Sequence, residues 1–214
     1  MSATKDRLVV AIDEWTVPAP RRMRGTITIE LGPVFAATHQ LHANGTHEWR
    51  PIAPIARCAI SFDRPAMRWA GRAYVDMNAG SEPLEQGFRS WTWARQEAGD
   101  STAIAYDILE RNGASRSLAL CYRPDGSIDQ LPAGPVQKLP TTGWRVARTT
   151  RPAGGQAAQV IRTLEDAPFY ARSLLRLGSR AHETRAIHES VDLDRFASRW
   201  VQILLPFRMP RRAR

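Results

Sequence analysis

The sequence predicts an all-β protein of antiparallel strands, arranged as a sandwich or barrel and finished by a short C-terminal helix. Three observations carry that prediction. Most of the chain divides into short apolar or alternating runs, the two-residue periodicity of half-buried strands. Turn-forming residues punctuate the runs: "NG" at 44–45 and 112–113, "PDG" at 124–126 and "GG" at 154–155. Sustained 3.6-residue periodicity is nearly absent, and "DLDRFASRW", with Asp192 or Asp194 as N-cap, is the best helical candidate.

In chain order the expected strands are "LVVAIDE", "MRGTITIEL", "ARCAISF", "MRWAGRAYVDM", "STAIAYDILE", "RSLALCY", "SIDQL", "WRVARTT", "AAQVIRTLE", "FYARSLLRL" and "ETRAIHESVDL". The stretch "AIAYDILERNGASRSLALCYRPDGSIDQL" reads as a three-stranded meander, because its "NG" and "PDG" are tight turns between apolar runs. "LPAGPVQKLPTTGW" (131–144) and "TVPAPRRMRG" are the most loop-like segments. If "MRWAGRAYVDM" is one strand, Met67, Trp69, Gly71, Ala73, Val75 and Met77 form one nearly apolar face. Tyr74 and Asp76 then share the other face with Arg68 and Arg72, which leaves a carboxyl either in water or in a pocket.

The chain has 214 residues and a formal charge of +9, carried almost wholly by arginine, with Lys5 and Lys138 the only lysines. An acidic partner suits that charge. The arginines are scattered, however, clustering only at Arg21, Arg22 and Arg24 and at Arg208, Arg211, Arg212 and Arg214. They form no single stripe and accompany no nucleic-acid-binding motif, which argues against a nucleic-acid partner. Cys58 and Cys121 have neither metal-ligand spacing nor a disulfide framework, and a reducing compartment is the simpler expectation. No apolar stretch follows a basic N-terminus as in a secretory signal, and "WVQILLPF" is too short to span a bilayer.

No P-loop, GxGxxG, GxSxG, HExxH or paired CxxC occurs. His39, His42 and His47 lie close together in sequence, and polar loop histidines are favoured over a metal site at those spacings. The aromatic pairs are more informative. His47 and Trp49, Tyr74 and Asp76, and Trp91 and Trp93 each share a strand face, and together they fit either a cavity lining or core aromatics with locally satisfied polar tips. The C-terminal "DRFASRWVQILLPFRMPRRAR" fits equally an interfacial segment on anionic lipid or a closing element with a basic end.

Four long segments, "HEWRPIAPIARCAISF", "MRWAGRAYVDMNAGSEPLEQGFRSWTWAR", "RTLEDAPFYARSLL" and "HESVDLDRFASRWVQILLPFRMPRR", resemble the carotenoid 1,2-hydratase family of carotenoid-making photosynthetic bacteria. The likeness runs from "LVVAIDE" to the C-terminus. It implies a lipocalin-like (calycin) fold of two tandem β-barrels. In the family a substantial segment precedes the "LVVAIDE" region, so residues 1–55 are expected to end a first, incomplete barrel and 56–214 to form the second. It also implies hydration of the terminal C1=C2 bond of acyclic carotenoids such as lycopene and neurosporene, with no cofactor and no metal.

The resemblance further implies that His47, Trp49, Tyr74 and Asp76 are the functional residues, with Asp76 the acid; Trp91 and Trp93, from their shared strand face, are the candidates to line the substrate cavity. It sets a demand: Asp76 buried, close to Trp49 and His47, with its carboxyl kept neutral by an apolar pocket. Partners would be the carotenoid, water and an anionic membrane surface, with the protein cytoplasmic and peripheral on the photosynthetic membrane. A non-catalytic lipocalin-like carrier of carotenoid or lipid is the alternative, since it needs the same pocket but not Asp76.

Overall fold

The computed structural model describes residues 1–16, 19–152, 155–179 and 182–205. The basic C-terminal cluster and Gly154 of the "GG" turn lie outside them. The first strands in chain order are β1 (Ser2–Ala3), β2 (Arg7–Trp15), β3 (Arg22–Glu30), β4 (His39–Gln40), β5 (His47–Ala53), β6 (Arg57–Arg64), β7 (Ala66–Arg72) and β8 (Val75–Gly80). A single helical turn, α1 (Leu84–Gly87), leads to the longer strands β9 (Phe88–Ala98), β10 (Ser101–Glu110), β11 (Ser115–Tyr122) and β12 (Ile128–Gln130). The chain continues through β13 (Gln137–Leu139), β14 (Arg148–Thr150), β15 (Ala158–Asp166), β16 (Tyr170–Ser179) and β17 (His182–Asp192), then α2 (Leu193–Phe196) and α3 (Arg199–Leu204).

The fold is all-β and lipocalin-like, with every ladder antiparallel. Seven strands form the main sheet in the order β12-β11-β10-β9-β17-β16-β15, and its edges do not meet, so the barrel is not closed. Five strands form a second sheet, β1-β2-β3-β6-β7, and three form a small one, β4-β5-β8. The expected meander is present as β10, β11 and β12. Asp192 caps α2 by accepting a hydrogen bond from the Arg195 amide at 2.9 Å, as the sequence leads one to expect.

Two expectations need correction. "MRWAGRAYVDM" is not one strand: it breaks at Ala73 and Tyr74, where the Ala73 amide donates to the Ala56 carbonyl at 2.7 Å. β7 then pairs with β6 while β8 pairs with β5, so the two halves belong to different sheets. Because β7 is an edge strand, Met67 and Trp69 on the supposed buried face stay open to solvent, as does Met77 on β8. Residues 55 and 56 lie in the turn between β5 and β6, and β6 joins β3 while β8 joins β5. The main sheet begins only at β9. Finally, "WRVARTT" yields just β14, because Arg145 adopts a left-handed φ of 59° in a turn closed by its amide bonding the Thr142 carbonyl.

The larger core lies between one face of the main sheet and the small sheet. Phe88, Trp93, Ile104, Tyr106, Ile108, Leu120, Tyr122 and Val191 of the former pack with Trp49 of the latter and with Phe35 and Leu41. Side chains of this size each contribute about 1.5–3 kcal/mol on burial. The opposite face of the main sheet carries a smaller core of Leu139, Leu175, Leu177 and Ala186. A polar group is buried on that face too: the Arg148 guanidinium donates to the Ser173 hydroxyl, the Thr163 hydroxyl and the Pro140 carbonyl.

Candidate functional site

β5 reads "HEWRPIA" and alternates buried with half-buried positions at every residue, so His47, Trp49, Pro51 and Ala53 face the core. Pro51, which has no N–H to donate, sits at the edge of a β-bulge in the pairing with β8. In that register Trp49 lies opposite Asn78 and Pro51 opposite Asp76, so Trp49 and Asp76 are diagonal neighbours on one face. An indole can span that diagonal. Trp49 Nε1 donates to Asp76 Oδ2 at 2.9 Å.

Tyr74 occupies the break between β7 and β8, and its hydroxyl donates to the same Oδ2 at 3.1 Å. Trp93 packs on the Tyr74 ring with centroids 5.1 Å apart, and the Arg95 guanidinium stands over that ring at 5.7 Å. Burial first, and the Asp76 charge second, push the Tyr74 phenol far above its ordinary range. Trp49, fully buried, meets Tyr106 edge to face at 5.4 Å, and Trp91 meets Tyr106 edge to face at 5.7 Å. His39 lies 5.4 Å from Trp49 and shares a 3.0 Å hydrogen bond with the Tyr122 hydroxyl.

Five of the six expected residues therefore gather around one carboxyl: Trp49, Tyr74 and Asp76 directly, Trp93 through Tyr74, and Trp91 through Tyr106. Asp76 is half-buried rather than enclosed. His47 does not join them. It sits four residues along β5 from the position facing Asp76, about 13 Å at strand rise. Its ring packs on Phe88 at 4.7 Å, and Nε2 lies 3.5 Å from Glu82 Oε1 without hydrogen-bond geometry. Gly80 stands opposite, and a Cβ there would come within 2.3 Å of His47 Nδ1, so only glycine leaves room for the ring. Burial pushes His47 below the ordinary histidine range, with Glu82 opposing.

The three clustered histidines go to three different partners: His39 to Tyr122, His42 to Glu110 at 3.5 Å and His47 to Glu82. Among the described residues no group of three or more His, Cys, Asp or Glu is placed to hold a metal ion. Tyr106 is the residue that sequence reasoning missed. It stands directly opposite Trp93 in the β9–β10 ladder, and only that register brings it to Trp49. Alternation along β10 puts it on the core face, but nothing in its local sequence marks it as different from a packing tyrosine.

Two donors converge on Asp76 Oδ2, while Oδ1 accepts no hydrogen bond from a described residue. Two shallow cavities of about 180 Å³ and 30 Å³ border the main sheet, on strand faces away from this carboxyl, and neither is lined by Asp76, Trp49 or Tyr74.

Known proteins match most or all of this chain. Acyclic carotenoid 1,2-hydratase of Thiocapsa roseopersicina is 44% identical over 95% of it and that of Rubrivivax gelatinosus 42% over 97%. The protein of the same name from Rhodobacter capsulatus is 34% identical over 98%. The chain spans 51%, 52% and 75% of these relatives' own lengths, about half for the first two. Among solved structures, CghA with Sch210972 shares the fold at a TM-score of 0.52 and 13% identity, over 87% of this chain and 65% of that one. The model of the family described as carotenoid hydratase CrtC matches residues 1–214, and the chain belongs to that family.

Proposed function

We propose that this chain carries the proton-donating site of an acyclic carotenoid hydratase, adding water across the terminal C1=C2 bond of substrates such as lycopene and neurosporene. The observation that supports this reading is the Asp76 carboxyl, held through Oδ2 by Trp49 and Tyr74, with Oδ1 unbonded among the described residues. An unactivated alkene needs a strong acid. Asp76 Oδ1 gives its proton to C2, which places the positive charge on the tertiary C1 rather than on a secondary carbon. The carboxylate left behind keeps its two donors, and hydrogen bonds to the charged form favour that form. Water then bonds to C1, and one of its protons returns to Asp76.

A bound polyene displaces water from the half-buried carboxyl, and dehydration favours the neutral acid that the first step requires. The half-buried Tyr74 ring beside the carboxyl is the aromatic group offered to the cation, an attraction of about 1–2 kcal/mol when desolvated. The substrate has no group to ionise, so the rest of it is held by apolar burial. No helix among the described residues is long and apolar enough to cross a membrane. α3 and its end do expose Trp200, Ile203 and Leu205 beside Arg199, which supports peripheral contact with anionic lipid as the route by which the hydrocarbon arrives.

The test is Asp76→Asn, which keeps the shape and removes the acid. With lycopene or neurosporene in membranes, 1-hydroxy product should fall by at least about 1,000-fold, at the strong end of general-acid effects. Hydration at near wild-type rate in that variant overturns the reading.

A further inference from the structure

The hydratase reading leaves one role unassigned: the group that holds the attacking water at C1. That carbon is bonded to the one protonated by Asp76, so the group must stand within hydrogen-bond reach of a water beside the carboxyl. Trp49 Nε1 and the Tyr74 hydroxyl have already given their single protons to Asp76 Oδ2. The His39 ring is bonded to Tyr122, and His47 stands about 13 Å along the strand. Tyr106 is different. Its side chain is buried, with 5% of the residue exposed, and packed edge to face with Trp49 and Trp91. Yet its hydroxyl bonds to no protein group among the described residues and is not one of the enclosed, unpartnered polar atoms. A buried ring that packs on the indole bonding Asp76, with a hydroxyl left over from the hydrogen bonds among the described residues, has a donor and acceptor to offer a small polar molecule.

We propose that Tyr106 is a catalytic residue of this site, its hydroxyl holding and orienting the water that attacks C1. Burial, and next the charge of Asp76, push its phenol far above the ordinary tyrosine range, so it acts as a neutral hydroxyl and not as a base. Such a group both donates and accepts a hydrogen bond. It accepts a hydrogen bond from the water and so turns the water's lone pair towards C1. The bookkeeping of the step closes within the site. Asp76 Oδ1–H protonates C2 as the alkene π bond breaks, and the water oxygen bonds to C1. The surplus water proton passes to the Asp76 carboxylate, which regenerates the acid.

The inference rests on the hydratase reading, and one experiment separates the two. The wild-type chain, Tyr106→Phe and Asp76→Asn are each incubated with lycopene in liposomes made up in D₂O. Product and recovered substrate are then read by mass. Tyr106→Phe keeps both ring contacts and should unfold at the wild-type midpoint, because the lost hydroxyl has no partner among the described residues. Its hydration should drop roughly 100-fold, the cost of a misplaced reactant. Because proton transfer survives, the cation loses a proton instead of gaining water, and recovered lycopene should carry deuterium in its terminal unit. Asp76→Asn should show neither hydration nor deuterium. Hydration by Tyr106→Phe within about threefold of wild type overturns the assignment, as does its loss without deuterium uptake. A wild-type chain that neither hydrates nor labels lycopene overturns the hydratase reading itself, and the assignment with it.

Discussion

Glu110 and Asp76 are two carboxyl groups beside the larger core, and their surroundings differ in one respect. Glu110, at the end of β10, is 2% exposed, and both of its oxygens are occupied. Oε1 accepts the Ala43 amide at 3.0 Å, while Oε2 accepts Asn112 Nδ2 at 3.2 Å and lies 3.5 Å from His42. It ties the 42–45 turn to the 111–114 turn. Asp76 is less buried, accepts two side-chain donors on one oxygen and, among the described residues, none on the other. Burial alone would pick Glu110 as the group of interest. The unbonded oxygen beside aromatic rings picks Asp76. A carboxyl saturated with donors is a structural tie, whereas one that is held but not saturated can exchange a proton.

The contrast can be broken in several places. The largest effect expected is on stability, from a third buried titratable group. His188 is fully buried on the far face of the main sheet, with Nε2 2.8 Å from the Thr149 carbonyl. Burial pushes its pKa down from 6.5 to about 4. As pH falls from 6.5 towards 4, the unfolded chain takes up a proton that the folded chain refuses. Stability present above pH 6.5 is thus lost across that window, by about 3 kcal/mol, and levels off below it. Urea midpoints measured across the window should flatten in His188→Gln. Retention of the full slope by that variant would assign it to other groups.

Glu110→Gln comes next. It presents an amide to Asn112 Nδ2 in place of an acceptor and should lower the unfolding free energy by about 2 kcal/mol. The pH–rate profile of the surviving folded protein should not move. If the profile does move, Glu110 is part of the chemistry and the contrast with Asp76 fails. Trp49→Phe should do the reverse. It removes one donor from Asp76 Oδ2, and hydration should slow roughly 10-fold for the about 1.4 kcal/mol withdrawn from the carboxylate. Gly80→Ala should have the smallest effect, about 1 kcal/mol of stability, because the new Cβ forces the buried His47 ring to tilt. An unchanged melting temperature there would mean that His47 is not wedged as described.

The all-β class, the meander, the Asp192 cap and the alternation of β5 were legible in the sequence, because each depends on residues close together in the chain. The pairings of His47 with Trp49 and of Tyr74 with Asp76 were legible as patterns too, and resemblance marked them as one functional set. Local spacing gives a side chain its face, but not which sheet that face meets. The tertiary structure decided that "MRWAGRAYVDM" divides between two sheets, because β7 and β8 find different partners. It placed Tyr106 opposite Trp93 through the β9–β10 register, and it put Trp49 rather than His47 on the Asp76 carboxyl. Each of these is a non-local choice of partner, fixed by which ladders bury the most apolar surface, and no window along the chain contains it.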